Sequence, residues 1–116
     1  SLPGFSTTSQ GLDLTVLIVN EGFAVKTAGG NVAPGCEAPG PGVAIPKRGG
    51  DYDLPALSAC IRKLKQSSPE AQQERQIFLS ANTGVEYHVV IGVIDAVRAT
   101  PEGDPLFSDV SFRVPR

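Results

Sequence analysis

An apolar triplet, Ile77-Phe78-Leu79, runs into the polar stretch Ser80 to Gly84 and then into the mostly apolar run Tyr87 to Arg98. No other part of the chain constrains the fold as tightly. Val and Ile favour strand by propensity, but the placing of the polar residues decides for a helix. His88, Gly92 and Asp95 fall at i, i+4 and i+7, a single narrow polar stripe, while Val89, Val90, Ile91, Val93, Ile94 and Val97 cover the remainder. Such a helix is expected to be buried on most sides, against a sheet, another helix or a second subunit. Thr83-x-x-Glu86 has the spacing of a capping box, in which a Thr hydroxyl accepts a backbone N–H three residues on and the Glu carboxylate reaches back. The segment therefore predicts a strand, a sharp turn and a helix in succession.

Upstream, Leu12, Leu14, Val16 and Ile18 alternate with Asp13, Thr15, Leu17 and Val19. A period of two with one wholly apolar face predicts an inner strand. Asn20-Glu21-Gly22 supplies a turn, and Phe23 to Thr27 the return strand of a hairpin. Residues 28–50 hold four prolines and seven glycines and read as an insertion. Loops of such length in a compact domain are uncommon and tend to be functional or disordered. Asp51 or Asp53 can cap the next helix, whose first turn tolerates Pro55 and whose stripe is Leu54, Leu57, Ile61 and Leu64. Ser67-Ser68-Pro69 ends it, and the polar stretch Glu70 to Arg75 connects to the strand Gln76–Ser80. Val110, Phe112 and Val114 alternate with Ser111 and Arg113, a final strand with one wet face. The order hairpin, α, β, α, β predicts a mixed β-sheet with two helices on one face, an α/β two-layer sandwich.

Composition narrows the function. At 116 residues and 41% hydrophobic, the chain makes one domain with one core. Net charge is −2, so no basic field exists to attract nucleic acid. Arg62, Lys63 and Lys65 sit where a helix ends, the position that the macrodipole favours for cations. No run reaches the roughly 18 apolar residues of a membrane span, and no basic region followed by an apolar core marks a signal peptide. The chain contains no Met, hence no initiator, which predicts a piece of a longer protein. His88 is the sole histidine and lies on the wet stripe, with no cysteine or carboxylate at ligand spacing except Asp95. A Cys60–His88 nucleophile pair lacks any elbow or oxyanion motif. The glycines fit neither a phosphate loop nor a dinucleotide fingerprint. No catalytic residue, cofactor or metal ligand is expected, and an enzyme is the disfavoured class.

The segment Ala81 to Arg98, with its Tyr87-His-Val-Val-Ile-Gly-Val-Ile-Asp95 helix, resembles the ExbD/TolR family, in which a strand and a short turn lead into a Tyr-Val-Val-x-Val-hydrophobic-Asp helix. Asn82 stands where that family usually has Asp, and the insertion at 28–50 replaces a short connection. The resemblance spans about Leu12 to Val114 outside the insertion, and implies the same two-layer sandwich. It further implies a periplasmic domain on a single-pass inner-membrane anchor, with residues 1–11 as the linker from that anchor. Such proteins sit beside an ExbB/TolQ-like proton channel and couple proton-motive force to an envelope process through a TonB- or TolA-like protein. The domain is then expected to act by homodimerisation and partner binding, in some members on peptidoglycan. The alternative is a soluble periplasmic binding module that uses the 28–50 insertion as its recognition loop.

Two site expectations follow. Val110, Ser111, Phe112, Arg113 and Val114 are expected at a dimer or partner contact if their strand lies at a sheet edge, where unpaired backbone groups invite strand addition. An interior strand covered on both sides is the alternative. The periplasmic setting implied by the resemblance is oxidising, so a Cys36–Cys60 disulfide is permitted and would fold the insertion back over the first helix. The alternative there is a small core residue at Cys60 and an incidental thiol at Cys36.

Overall fold

The computed structural model describes residues 12–113; the expected linker 1–11 and Val114 lie outside the described residues. The elements run β1 (Thr15–Val19), β2 (Gly22–Thr27), β3 (Gly30–Asn31), β4 (Ile45–Pro46), α1 (Leu54–Lys65), α2 (Pro69–Gln73), β5 (Gln76–Ala81), α3 (Tyr87–Arg98) and β6 (Asp109–Phe112). They form a mixed sheet in the order β3-β2-β1-β5-β6, with β4 also on β2. The β1–β2 hairpin is antiparallel, while β1–β5 and β5–β6 are parallel. The fold is an α/β two-layer sandwich, with α1 and α3 packed against each other over one sheet face.

The alternation seen in the sequence places the core. Val16 and Ile18 of β1, Phe23 and Val25 of β2, and Ile77 and Leu79 of β5 are fully buried on the helix face. Leu57 and Ile61 of α1 and Val93 and Val97 of α3 meet them, with Phe107 added from the loop before β6. Asp53 caps α1, its Oδ1 accepting the Ala56 N–H at 3.1 Å, a contact worth about 1 kcal/mol in such positions. Asp51 instead forms a backbone bridge with Arg48.

Four details depart from the sequence reading. The helix expected from the Thr83–Glu86 box begins only at Tyr87, with Glu86 at the cap and no side-chain cap bond. Gly84 explains this: its φ of +94° is left-handed and cannot open a helix, and the Val85 N–H closes a turn on the Asn82 carbonyl. The polar connection 70–75 contains a helix, α2, because the Ser68 hydroxyl caps it at the Ala71 N–H and Pro69 fits its first turn. Gly92 is not on the wet stripe but faces α1, where a Cβ would lie 2.8 Å from Leu54 Cδ1. The wet face is Tyr87, His88, Ile91, Asp95 and Arg98, so α3 is less enclosed than its composition suggested.

Segment 28–50 is tied down at several points. The Asn31 amide donates to the carbonyls of Gly40 (2.7 Å) and Gly42 (2.8 Å). β4 crosses the start of β2 so closely that a Cβ on Gly22 would lie 2.2 Å from the Ile45 oxygen and 2.8 Å from Pro46 Cα, with φ at +148°. Tyr52 follows, its hydroxyl donating to the Val19 carbonyl at 2.7 Å and its ring 5.2 Å from that of Phe23.

Two outcomes are expected. Gly22→Ala sets a methyl against backbone that cannot swing aside, and denaturant unfolding will show a loss of about 3 kcal/mol or more. A loss under about 1 kcal/mol contradicts the close crossing. Tyr52→Phe will cost about 1 kcal/mol at neutral pH. Burial first, and then the Glu21 charge, raise the Tyr52 pKa above its ordinary 10.0. The folded state thus favours the neutral phenol. That stability is fully present below pH 10.0 and is lost as pH rises through the higher folded value. The gap between wild type and Tyr52→Phe will therefore narrow in alkaline solution.

Candidate functional site

β6 ends the sheet order among the described residues. Asp109 and Arg113 donate their N–H groups inward, to the carbonyls of Arg75, just before β5, and of Leu79 on β5. In a parallel pair every second N–H turns to the neighbour, so those of Val110 and Phe112 point to the free side. Among the described residues the large apolar side chains left exposed are Tyr87 (77%), Ile91 (39%) and Phe112 (59%). Helix geometry places Tyr87, Ile91 and Ile94 on the flank of α3 opposite Gly92, and Gly92 meets α1. That flank turns toward β6, against which α3 packs. Among the described residues, unpaired backbone and uncovered apolar side chains therefore coincide at the β6 edge.

The expected contact residues divide between the two sheet faces. Val110 is half-buried and Phe112 exposed on the helix side, while Ser111, half-buried, faces the other way with Phe78 as its partner in register. Arg113 is committed within the chain. Its guanidinium carbon lies 3.5 Å over the Phe78 ring and its Nη2 is 3.7 Å from Asp13 Oδ1. Such a stacked, paired arginine is a strut across the open sheet face rather than a free cation. The flank Tyr87–Ile91–Ile94 is not legible in the sequence alone, where Ile91 and Ile94 read as core. Its only trace there is their spacing from Tyr87, on the side away from the only glycine of the helix.

The remaining residues singled out in the sequence lie elsewhere. His88 is exposed, its Nδ1 4.0 Å from Glu86 Oε2. No group of three or more His, Cys, Asp or Glu that could hold a metal occurs among the described residues. Cys60 is bonded to Cys36, with the Cα atoms 5.5 Å apart, so neither presents a thiol. Lys65 is held inward: its ammonium donates to the Glu74 carbonyl and lies 4.5 Å over the Phe107 ring. Burial chiefly lowers its pKa, opposed by Glu74 and aided by Arg75. No helix among the described residues is long and apolar enough to cross a membrane. Comparison with protein families, curated proteins and solved structures finds no match to this chain.

The cross-link closes a loop of 24 sequence steps, for which chain entropy gives roughly 3–3.5 kcal/mol. Removing both sulfurs as Cys36→Ala/Cys60→Ala will lower unfolding stability by about that amount and loosen 28–50 toward proteolysis. Thiol titration of the unreduced, denatured protein will find no free thiol. Two free thiols per chain contradict the bond.

Proposed function

We propose that this chain is the periplasmic domain of an inner-membrane protein of the ExbD/TolR kind, a non-catalytic module that works by dimerising and binding partners. On this reading an ExbB/TolQ-like proton channel is its neighbour in the membrane, and a TonB- or TolA-like protein carries the work to an envelope process. Peptidoglycan is a further candidate ligand. The Ala81–Arg98 resemblance supports the family, and the hairpin-α-β-α-β core supports the architecture that the resemblance implies. The single observation that carries the mode of action is the β6 edge, with outward N–H groups at Val110 and Phe112 beside Phe112, Tyr87 and Ile91 side chains. An extended segment of a second copy or a partner adds there as a further strand, its backbone completing the ladder and its apolar side chains meeting the α3 flank.

The test is chemical. Ser111→Cys, treated with a short bifunctional thiol reagent, is expected to yield an adduct between two copies or with the partner in the assembled complex. Phe112→Lys should abolish that adduct and weaken association about tenfold or more, as loss of one buried aromatic anchor does. Absence of any adduct, with association unchanged in Phe112→Lys, contradicts the edge as the contact.

A further inference from the structure

A second feature lies at the other side of the sheet, where segment 28–50 leans on the outer face of α1. Between them is a cavity of about 330 Å³, at the small end of the ~300–1,000 Å³ usual for ligand sites. Ala44, Ile45 and Pro46 line one side and Ala56 and Ala59 the other, with the Cys36–Cys60 bridge spanning them. These side chains are apolar, so they offer water in the cleft few hydrogen-bond partners. The cross-link and the Asn31 amide hold the insertion in place whether or not anything occupies the cleft.

The charged groups on the rim differ in what they are free to do. The Asp53 carboxylate accepts the Ala56 N–H and serves the α1 cap. Lys63 Nζ is shared between Glu37 Oε2 at 3.4 Å and the Gly35 carbonyl at 3.5 Å. Arg48 is exposed and has no carboxylate partner among the described residues. A guanidinium at the lip of an apolar cleft is suited to a carboxylate, which it can hold through two parallel N–H bonds.

We propose that this cleft binds a short segment of a partner protein in which an acidic residue is flanked by apolar residues. The carboxylate sits on Arg48 and the neighbouring apolar side chains enter between Ile45 and Ala59. The cleft is open to solvent along one side, so a free small molecule would stay wetter than the 70–90% burial such ligands require. A peptide that continues beyond the rim needs only two or three side chains covered. This proposal stands apart from the β6 edge, because the cleft uses the insertion and α1 alone.

Random heptapeptides displayed on phage, selected against the intact 116-residue chain, test it. Enriched peptides are expected to carry an Asp or Glu beside apolar residues. Synthetic copies, followed by fluorescence anisotropy, should bind Ala59→Trp and Arg48→Glu about tenfold or more weakly, the loss that one charged contact or a filled cleft implies. Arg48→Lys should restore part of the affinity, and Phe112→Lys should leave the affinity for these peptides unchanged. Ala59 and Arg48 are exposed, so these variants fold, which circular dichroism and melting will verify. Peptides that lack an acidic residue, or that bind Ala59→Trp as tightly as wild type, overturn the proposal. Peptides lost on Phe112→Lys alone do so too, while favouring the β6 edge, and absence of enrichment is equally fatal.

Discussion

The parallel pairing of β1 with β5 is the contact on which the rest of this structure depends. It joins Thr15–Ile18 to Phe78–Ala81 in register, and a parallel pair demands a long crossover between its strands. Segment 28–50, α1 and α2 all lie within that crossover. β1 then serves as the centre: β2 returns antiparallel on one side, and β5 extends through α3 to β6 on the other. Because Val16, Ile18, Ile77 and Leu79 face the helices from adjacent positions, α1 and α3 have one apolar surface to cover and must meet above it. The opposite face is thinly apolar, with Leu17 and Phe78 half-buried, and is braced by Arg113 between Phe78 and Asp13.

What the sequence disclosed follows from which physical signals are local. Strand alternation at Leu12–Val19 and the Leu57–Ile61–Leu64 stripe are one-dimensional patterns of burial, and both elements appear where those patterns fall. Even so, β1 begins only at Thr15, because Asp13 takes a left-handed φ of +47°. α3 starts later than the Thr83–Glu86 spacing predicts, because a capping box is defined by spacing alone, whereas Gly84 shows its left-handed geometry only in three dimensions. The facing of Gly92 was also illegible: a residue without a side chain reads as polar or neutral, and only the neighbouring helix reveals that it permits close approach. The edge strand could be suspected from Val110–Val114, but its partner surface on α3 depends on which flank α1 occupies.

Two surfaces emerge at opposite sides of one sheet, and they differ in kind. The β6 edge offers backbone groups and an apolar flank, a sequence-tolerant site that strand addition can use. The cleft beneath the insertion offers shape and Arg48, a cation without a carboxylate partner among the described residues, a site that selects by side chain. The seven glycines of the insertion give it a large entropy of ordering, which its four prolines reduce only in part. The Cys36–Cys60 cross-link and the Asn31 amide offset it, and β4 locks the far end onto Gly22 and Phe23.

If β6 is completed by another chain, as proposed, its outward amides report this directly. Hydrogen exchange resolved by residue should show the Val110 and Phe112 N–H groups unprotected in dilute protein, while Asp109 and Arg113, bonded to β5, exchange slowly. As protein concentration rises, or when the partner is added, Val110 and Phe112 should gain protection together with slower exchange across β5. If those two amides stay as fast in the assembled state as in the dilute one, strand addition at β6 is wrong.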